Sequence, residues 1–186
     1  MGSIFTDFDL SNFWREIDYA AASYSEEPDS TAYISAPLTE ALVALGEDEL
    51  GYKLPAAYLE LMQTQNGGIP RKRAFPTQES TSWANDHVAI NGILGIGREQ
   101  IYSLCGELGS QFMIDEWGYP AIGIYFADCP SGGHDMICMD YRKNGKTGEP
   151  EIIHIDQESD YEITFLAPNF ETFIRGLVND SQFDDD

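Results

Sequence analysis

Residues 118–166 read GYPAIGIYFADCPSGGHDMICMDYRKNGKTGEPEIIHIDQESDYEITFL. Ile122, Ile124 and Phe126 interleave with Ala121, Gly123 and Tyr125, the period of two that marks a β-strand. Asp128 to Gly133 supplies one Pro, one Ser and two Gly, which is turn chemistry. Asp135–Tyr141 repeats the strand pattern. Asn144-Gly145-Lys146-Thr147-Gly148 then carries the Asn-Gly pair of a hairpin. Glu151–Asp156 and Tyr161–Leu166 add two more strands. Strands this closely spaced, joined by short turns, predict an antiparallel meander and exclude a βαβ alternation.

Outward from the meander the period changes to that of helices. Pro168-Asn169 opens a helix whose Phe170, Phe173, Ile174 and Leu177 form one apolar stripe for packing on the sheet. Upstream, Leu108–Trp117 reads as a short helix and Val88–Ile96 as a strand. Residues Ile69–His87 read as a long loop holding Arg71-Lys72-Arg73, the chain's one basic cluster. Pro55 suits the first turn of a helix over Leu54–Met62, with Tyr58, Leu59 and Met62 on one face and Asn66-Gly67-Gly68 as its left-handed stop. Leu38, Ala41, Leu42 and Leu45 predict a helix over Leu38–Leu50, stopped by Gly51. Asp9–Ala22 reads as a first helix, capped by Ser11 and packed through Phe13, Ile17 and Ala21; Ser23–Ser30 is a polar linker. The expected fold is therefore α+β: one domain over 37–180, a helical arm and linker over 1–36, and an acidic disordered tail over 181–186.

A chain of 186 residues with 42% hydrophobic and 12% aromatic residues can bury a core. Its 10 Lys+Arg against 32 Asp+Glu give a formal charge of −22. Such a surface repels phosphate, which argues against direct binding to nucleic acid or an anionic membrane and favours a basic protein partner or a cation. The bland reading is that the charge keeps the protein soluble. No apolar run approaches a membrane span, and no basic-then-apolar start marks a secretory signal. Three cysteines, Cys105, Cys129 and Cys138, suit free thiols in a reducing compartment. The expected location is the cytoplasm.

Catalytic, cofactor and metal chemistry find little support. Cys129, His134 and Cys138 lie close in sequence but lack the paired spacing of a zinc site. Ser131 before Gly132-Gly133-His134 lacks a nucleophile elbow. The paired carboxylates Asp115-Glu116 and Asp128/Asp135 are expected by chance among so many acids. Neither Gly-Gly pair continues into a phosphate loop. The expectation is no catalytic residue, no cofactor and no metal.

Several motifs, in order, resemble the SMI1/KNR4 family, also called the SUKH superfamily. They are Leu54-Pro55-x-x-Tyr58-Leu59-x-Leu61-Met62 with Asn66-Gly67-Gly68; Trp117-Gly118-Tyr119-Pro120-Ala121-Ile122; Asp128, Gly133 and Asp135 through Asp140-Tyr141-Arg142; Gly148-Glu149-Pro150-Glu151-Ile152-Ile153; and Phe170-Glu171-Thr172-Phe173-Ile174. The resemblance spans about Leu38–Val178. It implies a SUKH-like α+β domain without enzyme chemistry. In bacteria such domains are typically immunity proteins that bind and neutralise a polymorphic or contact-dependent toxin; in fungi they act in cell-wall control and signalling. The partner implied is a cognate toxin domain, with a basic nuclease as one candidate; the alternative is a regulatory interaction domain.

Binding residues follow from charge and hot-spot chemistry. From Glu149 to Asp186 there are eleven acids and one base, Arg175. Asp156, Glu158 and Asp160 are expected to share a rim with Asp128 and Asp135, flanked by the aromatic anchors Trp83, Trp117 and Tyr119. Trp117 reads equally as core, and the acids equally as a solvated edge that discourages strand aggregation.

Overall fold

The computed structural model describes residues 2–17 and 30–184. In chain order the described elements are α1 (Glu40–Leu50), α2 (Ala56–Thr64), β1 (Ala74–Pro76), β2 (His87–Ala89), β3 (Gly92–Ile93), α3 (Ser110–Asp115), β4 (Gly123–Asp128), β5 (Asp135–Asp140), β6 (Glu151–Asp156), β7 (Glu162–Ala167) and α4 (Phe170–Gly176). Strands β3 to β7 form one antiparallel sheet in sequence order, and β1 pairs with β2 in a second. This is the mixed α+β meander that the alternation predicts.

The main sheet is a wall between two apolar clusters. Ile137 and Met139 of β5 and Ile152 of β6 join Tyr58, Leu61, Phe170 and Phe173 of α2 and α4 in the larger cluster. Met136 and Cys138 of β5 with Ile153 and Ile155 of β6 join Met113 and Tyr119 in the smaller one. All six residues of β4 and of β5 are buried. The capping chemistry is local: Thr39 accepts from the Leu42 N–H ahead of α1, and Asn169 from the Thr172 N–H ahead of α4. Gly51 ends α1 at φ 78°, the left-handed conformation expected of it.

Five local expectations change. Asp9–Ala22 is not a helix where it is described: after a three-ten turn over Leu10–Asn12, the chain pairs with a neighbour. The Arg15 N–H donates to Ile69 O at 2.8 Å and the Arg71 N–H to Phe13 O at 2.9 Å. Phe5 and Phe13 thereby enter the main core. Residues 18–29, including most of the expected linker, lie outside the described residues. The 69–87 segment holds β1, whose partner β2 lies on the far side of a connection. The expected strand Val88–Ile96 splits between the two sheets as β2 and β3. Leu45 is 68% exposed, because α1 turns Leu42, Val43 and Gly46 inward; a Cβ on Gly46 would lie 2.9 Å from Ile96 Cγ2. Finally, residues 180–183 form a three-ten turn on which Phe183 stacks with His87 at 3.9 Å, and Asp180 pairs with Arg73 at 3.3 Å; residues 185–186 lie outside the description.

Asn66 has a different role from a helix stop. Its Nδ2 donates to Ala36 O at 2.8 Å and Ile96 O at 2.9 Å, while its Oδ1 accepts the Ile96 N–H at 2.8 Å. One buried side chain thus joins three segments. Gly67, at φ 92°, lets the backbone pass; a Cβ there would meet Tyr33 O at 2.3 Å. Replacing Asn66 with Ala strands these groups without solvent. It should cost about 3 kcal/mol, read from the midpoint of urea unfolding.

Candidate functional site

The strand register gathers acids at one end of the main sheet. Asp128 ends β4 opposite Gly92; Asp135 begins β5 opposite Asp156, the last residue of β6; Asp156 faces Glu162, the first residue of β7. The turn from Gln157 to Tyr161 closes this end with Glu158 and Asp160, both exposed.

Three of the acids are buried and each is tied down. Asp128 accepts the Tyr33 hydroxyl at 2.8 and 3.0 Å and Asn91 Nδ2 at 3.3 Å. Burial raises its pKa to about 6, with the Tyr33 and Asn91 bonds opposing. Asp135 Oδ2 lies 2.7 Å from His154 Nε2, and both side chains are buried. Asp156 accepts the Glu158 N–H at 2.9 Å and the Ser159 hydroxyl at 2.7 Å. Burial pushes its carboxyl up, but bonds from Ser82, Ser159 and the backbone hold it below the ordinary range.

The expected aromatics divide. Trp83 is 40% exposed and borders a cleft of about 280 Å³ with Arg73, His87 and Phe183. Trp117 is half-buried, edge-on to His134 at 5.3 Å. Tyr119 is buried, its hydroxyl donating to Gly133 O at 2.7 Å. Tyr119, Asp128, Asp135 and Asp156 therefore lie beneath the surface and present no free face, whereas Trp83, Glu158 and Asp160 are exposed.

The β6–β7 turn has an unusual backbone. Asp160 and Tyr161 both take positive φ, 56° and 60°, and the Glu162 N–H bonds Ser159 O at 3.2 Å, the geometry of a type I′ hairpin turn. A tyrosine there is strained. It is held by its hydroxyl, which donates to Trp117 O at 2.5 Å, and by edge-on packing against Tyr119 at 5.5 Å. Gly118 leaves room for that hydroxyl, since a Cβ there would lie 2.8 Å from it.

A second constellation was not anticipated. Cys129, Asp135 and His154 bring one donor atom each within 4.8 Å of one another, all buried. The sequence singled out Cys129 with His134 and Cys138, but His134 instead turns to Glu158 at 3.4 Å, and Cys138 belongs to the cluster on the opposite face of the sheet. Asp135 Oδ1 and His154 Nδ1 are buried without a hydrogen-bond partner among the described residues. Asp135 Oδ2 and His154 Nε2 are hydrogen-bond partners, and burial, reinforced by Asp135 and Asp128, raises the Cys129 thiol far above its ordinary pKa. The signal for His154 was available: it alternates with Ile152 and Asp156 on one face of β6.

Two further expectations can be placed. Ser131 Oγ accepts the Asp135 N–H at 3.0 Å, closing the turn. Cys105 is half-buried beside Glu49, and its thiol is pushed up to about 11, chiefly by burial. Among the described residues no helix is long and apolar enough to cross a membrane.

The family-type motifs have structural roles. Leu54 is buried, Pro55 precedes α2, and the Tyr58 hydroxyl donates to Leu94 O at 2.6 Å. Pro120 O accepts the Tyr125 hydroxyl at 2.7 Å, Asp140 holds Arg142 at 2.7 Å, and Phe170 and Phe173 meet Phe126 edge-on. A SUKH family model described as SMI1-KNR4 cell-wall matches residues 40–174, from the first residue of α1 into α4, and so covers every strand of both sheets. A search of curated proteins finds no match.

The raised Asp128 pKa makes a signed prediction. Between the ordinary carboxylate value and about 6 the folded state holds a proton that the unfolded state has lost, so stability falls as pH rises through that window. Asp128→Asn should flatten that part of the curve, seen as the difference between wild type and variant in urea unfolding at roughly pH 4 to 7.

Proposed function

The chain belongs to the SMI1/KNR4 (SUKH) family, and on that premise we propose that it is an immunity protein that binds a toxin domain and blocks it by stoichiometric occlusion, without turnover. The observation that carries this reading is the acidic end of the sheet. Glu158, Asp160 and Glu162 stand exposed on one turn and strand start, on a chain of net charge −22. A field of this sign steers a basic surface to the protein and covers it. A nuclease, which needs cationic residues to hold phosphate, is the toxin chemistry that fits. Trp83 and Trp117 supply aromatic anchors beside the acids.

In this arrangement the buried carboxylates do not touch the partner. Asp156 holds the acidic turn through the Glu158 N–H and the Ser159 hydroxyl. Asp135 and Asp128 anchor the strand ends behind it. The cell-wall term in the family description favours a second reading, a regulatory interaction domain whose partner is a cell-wall or signalling protein.

Co-expression with the toxic domain encoded beside this chain's gene separates the two. Rescue of growth with a one-to-one complex is the expected result; an active toxin with neither rescue nor complex would leave the regulatory reading. In that complex, Glu158→Gln with Asp160→Asn should slow association several-fold at low salt and leave dissociation unchanged. The difference should vanish near 1 M salt, where the screening length is about 3 Å.

A further inference from the structure

We infer that the free edge and outer face of β7 receive an extended segment of the partner, one rich in basic and apolar residues, as an added antiparallel or parallel strand; the inference rests on the protein-binding reading above. Three observations meet on this strand. First, among the described residues β7 ends the main sheet and pairs with β6 alone. The opposite edge is different: β3 has two residues, and Ile93 there is bridged to Gly68.

Second, β7 turns large apolar side chains to solvent. Ile163 is 40% exposed and Phe165 is 55% exposed. They sit opposite Ile155 and Ile153 of β6, which are buried on the same face. The helix on that face, α3, packs on β4, the far side of the sheet from β7. The apolar layer of the smaller cluster therefore runs out from under its cover at the edge strand. Long apolar edge strands are what folded proteins ordinarily blunt, because unpaired backbone groups beside apolar side chains template another strand.

Third, the charge around this edge has one sign. Residues 157–167, QESDYEITFLA, contain Glu158, Asp160 and Glu162 and no Lys or Arg. Glu162 and the two turn acids are exposed at the entrance to the strand. A second copy of the chain would bring the same acids and the same −22 to the contact. A segment alternating apolar residues with Lys or Arg complements both the exposed side chains and the field. Main-chain bonds to β7 would supply affinity, and Ile163 and Phe165 would select the apolar positions.

The test uses the full chain and its complex with the inactivated toxin domain encoded beside its gene. Hydrogen exchange in the complex should slow at the amides of residues 162–167. Phe165→Asp and Ile163→Asp, both at exposed positions and checked for native circular dichroism, should each weaken the complex about tenfold or more. Leu45→Asp, at the exposed position on α1, should leave it unchanged. A full-affinity complex in both β7 variants, with residues 162–167 exchanging as in the free protein, overturns this surface while the immunity reading stands. No complex with wild type defeats both. Sedimentation of the chain alone closes the remaining alternative: a dimer split by Phe165→Asp would make the occupant a second copy and overturn the proposal.

Discussion

Burying both faces of the central strands is the constraint on which the rest of the structure depends. Strands β4 and β5 lie wholly inside, so side chains of either parity must find a dry environment. Apolar residues meet that demand along the strand middles. At the strand ends acids take over, and each needs its own partner: Tyr33 and Asn91 for Asp128, His154 for Asp135, Arg142 for Asp140, and backbone and hydroxyl donors for Asp156. A buried charge left without such a group is costly. The segments supplying these partners are thereby pinned to the sheet, including the 30–36 stretch through Tyr33.

The same demand sorts the acids of the sheet end by depth into two tiers. The inner tier is buried and hydrogen-bonded within the fold. The outer tier, Glu158, Asp160 and Glu162, rides on a strained turn held by Tyr161 and Trp117. A strained turn persists only where its surroundings over-determine it. Here the surroundings are the aromatic packing of Tyr119, Tyr161 and Trp117, which gives the outer acids a fixed placement.

Much of this architecture was legible in the sequence, for reasons particular to its residues. The meander announced itself because Ile122–Phe126 alternates cleanly, and because Asn144-Gly145 and Pro130–Gly133 mark the reversals. The helix at Phe170 was equally plain. The strand β1 was hidden because three residues, Ala74–Pro76, carry no period, and their partner begins eleven residues later at His87. The first segment misled because Phe13 and Trp14 serve a bridge to 69–71, and spacing alone cannot tell a helix face from an extended chain anchored by two rings. The site was half legible. Composition located the acids at one end of the sheet, but register decides which are buried, and Asp135 and His154 meet diagonally across β5 and β6 only once that register is known. The exposure of Ile163 and Phe165 carries no signal in the sequence, since an edge strand and a central strand share one pattern.

The sequential order of the main sheet also bears on how the molecule is made. Each of β4 to β7 pairs with the strand just before it, so the loops that must close are short and little chain entropy is lost at each step. The meander can zip from one hairpin to the next. The clasps that complete the molecule join distant parts of the chain: Tyr33 to Asp128, Ala74 to Val178, and Arg175 to the carbonyls of Ile4 and Thr6. On a ribosome the last of these must wait until α4 has emerged. The segment holding Ile4 and Thr6, made before α4, is therefore among the last to settle, and until α4 arrives the larger core stays open on the side where Phe5 and Phe13 will pack.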